Sequence, residues 1–180
     1  MSKFKNTRES HITISELMLP SHSNFSGKIH GGYILSLMDQ IAFACAAKYS
    51  GYYAVTASVD KVDFLQPIEV GELVSMKASV NFVGRSSMVV GVRVESENVT
   101  TGSKKHCNSS YFTMVARDEN GKSVAVPGLL LDSKTAVRRF MRSAYRQEQG
   151  KARRAAFKSS TFNIEEHMDM LKDYNVKVEL

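Results

Sequence analysis

His30-Gly31-Gly32-Tyr33-Ile34-Leu35-Ser36-Leu37-Met38-Asp39-Gln40-Ile41-Ala42-Phe43-Ala44-Cys45-Ala46-Ala47-Lys48 is the stretch on which the reading of the fold turns. From Gly31 onward it has helical length and composition. Ile34, Leu35, Leu37, Met38, Ile41, Ala42, Phe43, Cys45 and Ala46 surround most of the helix circumference, and a helix apolar on nearly all sides belongs inside a fold. The apolar run is broken by Asp39 and Gln40. It is too short and too charged to cross a membrane, which takes ~20 apolar residues.

On the N-terminal side, residues 10–19 begin with alternation through Ile12 and Ile14, a strand signal. Pro20, Ser21, Ser23, Asn24, Ser26 and Gly27 then mark a loop. On the C-terminal side, strand-like segments occupy roughly 52–64, 71–84, 86–99 and 104–117. Pro67 with Gly71, then Gly84, Thr101-Gly102 and Asn120-Gly121 punctuate them. Val74, Met76, Ala78, Val80 and Phe82 alternate with polar residues, as do Val90, Val92 and Val94, which predicts strands with one buried face. One strand, one buried helix and a run of closely connected strands make an α+β domain, with an antiparallel sheet wrapped around a long central helix.

From Asp132 onward the pattern is helical again. Val137, Phe140, Met141, Ala144 and Tyr145 form a stripe, with Arg138, Arg139, Arg142 and Arg146 opposite. Residues 147–160 are polar and basic and are expected to fray, and a short helix is expected near Ile164–Leu171. The domain is therefore placed at 1–131, with a basic helical extension at 132–180. The extension's stripe needs a surface, since a helix of this length gains most of its stability from packing. A neighbouring subunit is the favoured one, because the first unit is already complete.

The chain has 180 residues, 43% hydrophobic and 23% charged, which suits one soluble domain with a sizeable core. Its net charge of +6 is uneven: +2 over residues 1–131, +7 over 132–158 and −3 over 159–180. The basic segment hints at an anionic partner, although a solvated basic helix is the commoner explanation. It lacks the interleaved aromatics expected of a single-stranded nucleic-acid platform, so no nucleic acid partner is expected. No signal peptide or membrane segment is read, and Cys45 and Cys107 are taken as reduced thiols, which predicts a cytoplasmic protein. The five histidines are scattered, so no metal site is expected.

Two features carry chemistry. Adjacent glycines at a helix start are entropically costly but let a group approach the backbone closely. A helix N-terminus also offers unpaired N–H groups and partial positive charge, which suits an oxyanion. A tight loop-to-helix turn is the plainer alternative. Asp39 is the second feature, a carboxylate two turns into the most apolar helix. It either caps a neighbouring backbone or acts catalytically, and burial would raise its pKa toward the range of a general base. Taken with the Gly-Gly start, catalysis is the better reading.

Asn24…Gly27…His30-Gly31-Gly32…Asp39 resembles the signature of the hotdog acyl-CoA thioesterases. The likeness continues through Val55-Thr56-Ala57-Ser58-Val59-Asp60, Val62-Asp63-Phe64…Pro67-Ile68…Gly71-Glu72 and Val83-Gly84-Arg85-Ser86-Ser87-Met88, covering about residues 8–131. The resemblance implies a double-hotdog homodimer, usually assembled as a trimer of dimers, with acyl-CoA as substrate and the active site at the dimer interface. It implies that Asn24 and Asp39 form the catalytic pair from opposite subunits. Thr56 would help hold the reacting water, and the backbone of Gly31 or Gly32 would polarise the thioester carbonyl. Asp39 would act as general base or as nucleophile. No cofactor is implied, CoA being part of the substrate.

With this resemblance, Gly84-Arg85-Ser86-Ser87 reads as a phosphate or pantetheine contact, and without it as a hairpin turn with an exposed Arg. His30 either touches CoA or shapes the helix start, and Lys61 reads as a solvated strand residue. The arginine face of the C-terminal helix could meet CoA phosphates or a regulatory nucleotide. Two further readings are an acyl-thioester dehydratase, which generally needs a His with an acid, and a non-catalytic acyl-CoA or nucleotide sensor. The first lacks a second motif, and loss of Asn24 or Asp39 would have favoured the second.

Overall fold

The computed structural model describes residues 4–159 and 164–179. In chain order its regular elements are β1 (Phe4–Asn6), β2 (Ile12–Leu17), α1 (Gly31–Ser50), β3 (Tyr53–Val59), β4 (Glu72–Val83), β5 (Ser87–Asn98), β6 (Lys104–Arg117), β7 (Gly128–Leu130), α2 (Lys134–Ser159) and α3 (Ile164–His167). Short 3₁₀ turns lie at Thr7–Ser10, Pro20–His22 and Met168–Asp173. The chain divides into two compact units, Met1–Ala144 and Tyr145–Leu180, and α2 contributes residues to both.

In the first unit, five strands hydrogen-bond in the order β2-β4-β5-β6-β3, every pair antiparallel. Helix α1 packs across this sheet. Ile34, Leu37, Met38, Ile41, Ala42, Cys45, Ala46 and Tyr49 of α1 are buried with Val74, Met76, Ala78 and Val80 of β4 and Val90, Val92 and Val94 of β5. Alternation by two puts these valines on one face of the pleat, and burial of each such side chain contributes about 1.5–3 kcal/mol. At its C-terminus α1 is closed by Gly51 in the left-handed region (φ 76°), whose N–H reaches Ala47 O at 2.8 Å. Tyr49 donates its hydroxyl to Gly128 O at 2.7 Å and so ties the helix end to β7.

The expected helix and strands are present. The first strand after α1 is shorter than expected, ending at Val59 and not near residue 64. Asp60 stays bonded to β6: its N–H donates to Tyr111 O, and Ser110 Oγ donates to Asp60 O. The chain then leaves the sheet toward Pro67, which cannot donate to a ladder. Lys61 therefore stands in a loop, paired with Asp63 at 2.8 Å, and is not a strand residue. The parallel pair β1–β7 was not expected; three residues a side carry no readable alternation.

The C-terminal stripe is split. Ala136 and Ser143 are buried, and Phe140 packs on Phe82 of β4 with ring centroids 5.3 Å apart. Val137, Met141 and Tyr145 remain exposed. The expectation that the stripe covers a neighbouring subunit is thus corrected for Phe140, which packs within its own chain. The inward seam runs through 136, 140 and 143, offset from the run of largest apolar residues. Residues 147–159 stay helical where fraying was expected, and residue 160 lies outside the described residues. The expected short helix is α3 followed by the 3₁₀ turn Met168–Asp173.

Candidate active site

Asn24 opens a tight turn. Its N–H donates to Lys28 O (2.7 Å), and its own carbonyl accepts from Gly27 N (3.0 Å). Gly27 has φ 76°, a conformation that favours glycine and closes the turn. Asn24 Oδ1 accepts from Ser26 N, Ser26 Oγ and Lys28 N at 2.9, 2.7 and 3.2 Å. With Oδ1 engaged in this way, the hydrogen-bonding capacity left to the amide is that of its Nδ2 donors. The segment is braced from outside: Lys28 pairs with Glu69, Ile29 N donates to Ile68 O, and His22 stacks on Tyr33 at 4.1 Å.

His30 caps α1. Its extended backbone (φ −65°, ψ 126°) precedes the helix, and Gly32 N donates to its Nδ1 at 3.0 Å. A Cβ on Gly32 would lie 2.8 Å from the His30 ring, and one on Gly31 would lie 3.2 Å from the Phe64 ring. Both glycines therefore answer to close approach, by His30 and by Phe64. Of the two proposed oxyanion donors, Gly32 has its N–H committed to His30. Gly31 N–H occupies the first helical position, which has no acceptor within the helix.

Asp39 lies on the side of α1 that the sheet leaves open, with Leu35, Ser36, Gln40 and Phe43. The carboxylate is exposed in the single chain, where the sequence suggested a buried one; the sheet covers only one side of the helix. Its partner is Thr56 on β3, whose Oγ1 donates to Asp39 Oδ1 at 2.6 Å. Thr56 precedes a β-bulge between Thr56 and Ser58, and β3 is an edge strand of the sheet. Leu35, Asp39 and Phe43 follow one another at i, i+4 and i+8, so the carboxylate sits in an apolar strip. Tyr53 extends that strip beside Phe43, with ring centroids 5.3 Å apart.

Asp39 and Thr56 are brought together, but Asn24 is not part of that pair. Eight residues of α1 separate Asp39 from Gly31, a rise of ~12 Å, and Asn24 precedes the helix start. The turn Gly84–Ser87 lies elsewhere at the same end of the sheet. Across the strands, Thr56 stands beside Met114 and Met114 beside Met88, which follows Ser87. Two strand spacings, about 10 Å, therefore separate Thr56 from that turn. Three backbone bonds hold it: Gly84 N to Ser87 O, Val126 N to Arg85 O and Ala116 N to Ser86 O. Arg85 itself is exposed.

Cys45 is no rival nucleophile. Burial pushes its thiol up to about 12, and the S–H donates to Ser10 O at 3.1 Å, which also favours the protonated form. Phe64 over Gly31 and Met114 under Thr56, whose Sδ is 3.5 Å from Oγ1, were not anticipated. Both contacts cross between elements, and no local pattern announces them.

The sequence model of the Thioesterase superfamily matches residues 26–103. Protein VdlD of Helicobacter pylori is 41% identical over 137 residues, 76% of this chain and 78% of that protein. The uncharacterized acyl-CoA thioester hydrolase YkhA of Bacillus subtilis is 34% identical over 147 residues, 82% of this chain and 86% of that one. The chain belongs to the thioesterase superfamily. Within it, the crystal structure of an apo-hexameric acyl-CoA thioesterase superposes with a TM-score of 0.82 at 36% identity, covering 84% of this chain and 97% of the other. The Staphylococcus aureus acyl-CoA hydrolase in complex with butyryl coenzyme A gives 0.79 at 34% identity, covering 86% and 94%. Three further structures of the S. aureus enzyme carry one Asn, one Asp and one Thr replaced singly by Ala. Those three residues stand at the same intervals along their chain as Asn24, Asp39 and Thr56 do along this one.

Proposed function

We propose that this thioesterase hydrolyses acyl-CoA to free acid and CoA, at a site completed by two copies of the chain. The observation that carries this reading is the Asp39–Thr56 pair, exposed on the open side of α1 and ~12 Å along the helix axis from its start. A carboxylate so placed needs a second chain to bring the carbonyl-binding donors of an Asn24 loop to it. The equal spacing of the three residues altered in the S. aureus enzyme supports the same choice.

In this mechanism Thr56 occupies Asp39 Oδ1, and Oδ2 is left to take a proton from water as that water attacks the thioester carbonyl. The negative charge that develops on the carbonyl oxygen meets Gly31 N–H at the helix N-terminus and Asn24 Nδ2, both supplied by the second copy of the chain. Collapse of the tetrahedral intermediate breaks the C–S bond, and the proton held by Asp39 passes to the CoA sulfur. Water is the second reactant, so no cofactor is required. His30 shapes the helix start, and Arg85, presented by the Gly84–Ser87 turn, takes a CoA phosphate.

Catalysis is assigned to residues 1–131, with residues 132–180 as an extension. A homodimer assembled as a trimer of dimers is supported by the shared site proposed here and by the hexameric relative. Cys45 and Cys107 are free and buried, which suits a reducing cytoplasm. Among the described residues, no helix is long and apolar enough to cross a membrane.

The test is thiol release from purified protein across acyl-CoAs from acetyl to palmitoyl. Hydrolysis of at least one chain length well above buffer is expected; none across the series rejects the activity. The shared site has its own test. Asn24→Ala and Asp39→Asn chains, each inactive alone, should regain activity when co-assembled, because a mixed dimer holds one intact site. Doubly tagged mixed oligomers that stay inactive would show that each chain builds its site alone.

A further inference from the structure

Phe25 is the most exposed large apolar residue described, at 113% of the reference exposure, and it follows Asn24 directly. It is not loosely held. It sits inside the Asn24–Gly27 turn, closed by Gly27 N to Asn24 O at 3.0 Å and by three bonds to Asn24 Oδ1. A rigid turn that holds a phenyl ring away from its own subunit is costly in water unless the ring is covered in the assembled state.

The surface that would cover it is on the same page of the fold. Leu35, Phe43 and Tyr53 are exposed apolar side chains lying around Asp39, on the open side of α1 and the adjoining edge strand β3. The occupant of that strip is a second copy of this chain, since a second copy must bring its Asn24 loop to Asp39 for the site to be complete. Phe25 then arrives within one residue of the amide that has to be placed.

We propose that Phe25 is a positioning residue: its ring seats on the apolar strip beside Asp39 of the partner subunit and so sets where its own Asn24 Nδ2 meets the thioester. This inference rests on the shared-site reading above. It goes beyond it by assigning an anchor to the one loop that must be held in register between chains. Misplacement of a reacting group by about 1 Å can cost a hundredfold in rate, so loss of the anchor acts on turnover even when Asn24 is intact.

The experiment uses mixed oligomers isolated through two tags. An Asp39→Asn chain supplies the working Asn24, and an Asn24→Ala chain supplies the working Asp39. Phe25→Ala in the Asp39→Asn chain should lower the recovered kcat by about 10- to 100-fold. The same substitution in the Asn24→Ala chain should leave the recovered rate within about twofold, because that Phe25 serves only the dead site. Phe25→Leu in the Asp39→Asn chain should keep most of the rate, since an apolar side chain remains. Adding Phe43→Ala to the partner should cost less after Phe25→Ala than before it, if the two rings share a contact. Equal losses from Phe25→Ala in either chain would assign a general assembly role and overturn the proposal. No loss from the Asp39→Asn chain would overturn it as well. If the parental mixture itself recovers no activity, the shared site falls and this anchor falls with it, an outcome distinct from the first two.

Discussion

Asp39→Asn should lower kcat by about 10²- to 10⁴-fold while the protein stays folded and assembled. The amide keeps the shape of the carboxylate and can still accept the 2.6 Å hydrogen bond from Thr56 Oγ1, so the local geometry survives. What is lost is the capacity to hold a proton taken from water. Asp39 is exposed in the chain and packs no core, so the effect on stability should stay within about 0.5 kcal/mol. Thr56→Val is the companion variant. It leaves the carboxylate but removes the donor that orients it, and its loss of kcat should be clearly the smaller of the two. Steady-state kinetics with circular dichroism and light scattering on the same samples decide the matter. A kcat near that of the parent protein in Asp39→Asn would remove Asp39 from the chemistry.

Ile41→Ala should be strongly destabilising. Ile41 has no exposed surface and stands in the middle of α1, among side chains from the helix and from β4 and β5. Its truncation removes buried methyl groups and leaves a cavity that a sheet on one side and a rigid helix on the other cannot close. The expected cost is about 2–5 kcal/mol, a large share of the roughly 5–15 kcal/mol that holds a typical domain. In urea, where m is about 1–3 kcal/mol/M, the midpoint should fall by about 1 M or more. Val99→Ala is the control: Val99 is 58% exposed just beyond β5, and its change should stay within about 0.5 kcal/mol. Both must be compared at one protein concentration, because assembly shifts the apparent midpoint. A cost below 1 kcal/mol for Ile41→Ala would mean that α1 is not the centre of the core.

Much of this was legible before any coordinates. A helix apolar around most of its circumference, followed by valine-rich strands of period two, leaves few ways to bury that surface, and the sheet-wrapped helix is the one observed. Strand limits came within a residue or two for β4, β5 and β6, because turn residues stand at each break. The site was legible as residue types: a carboxylate on an apolar helix, a glycine pair at the helix start, and an Asn-containing loop before it. Its family signature named Thr56, which no periodicity would single out.

Tertiary structure decided the rest, and the reason is the same each time: contact between elements distant in sequence. The sheet covers one side of α1 only, so Asp39, which looked buried from composition, is open and bonded to Thr56 on an edge strand. Gly31 and Gly32, which looked alike, differ because Phe64 crowds one and the His30 ring takes the N–H of the other. The C-terminal stripe divides because Phe82 reaches Phe140 and no residue of the sheet covers Met141 to the same extent. Hydropathy along a chain specifies how much surface must be buried and with what period. It does not specify which side of an all-round apolar helix the sheet takes and which it leaves open, and at Asp39 that choice decides the chemistry.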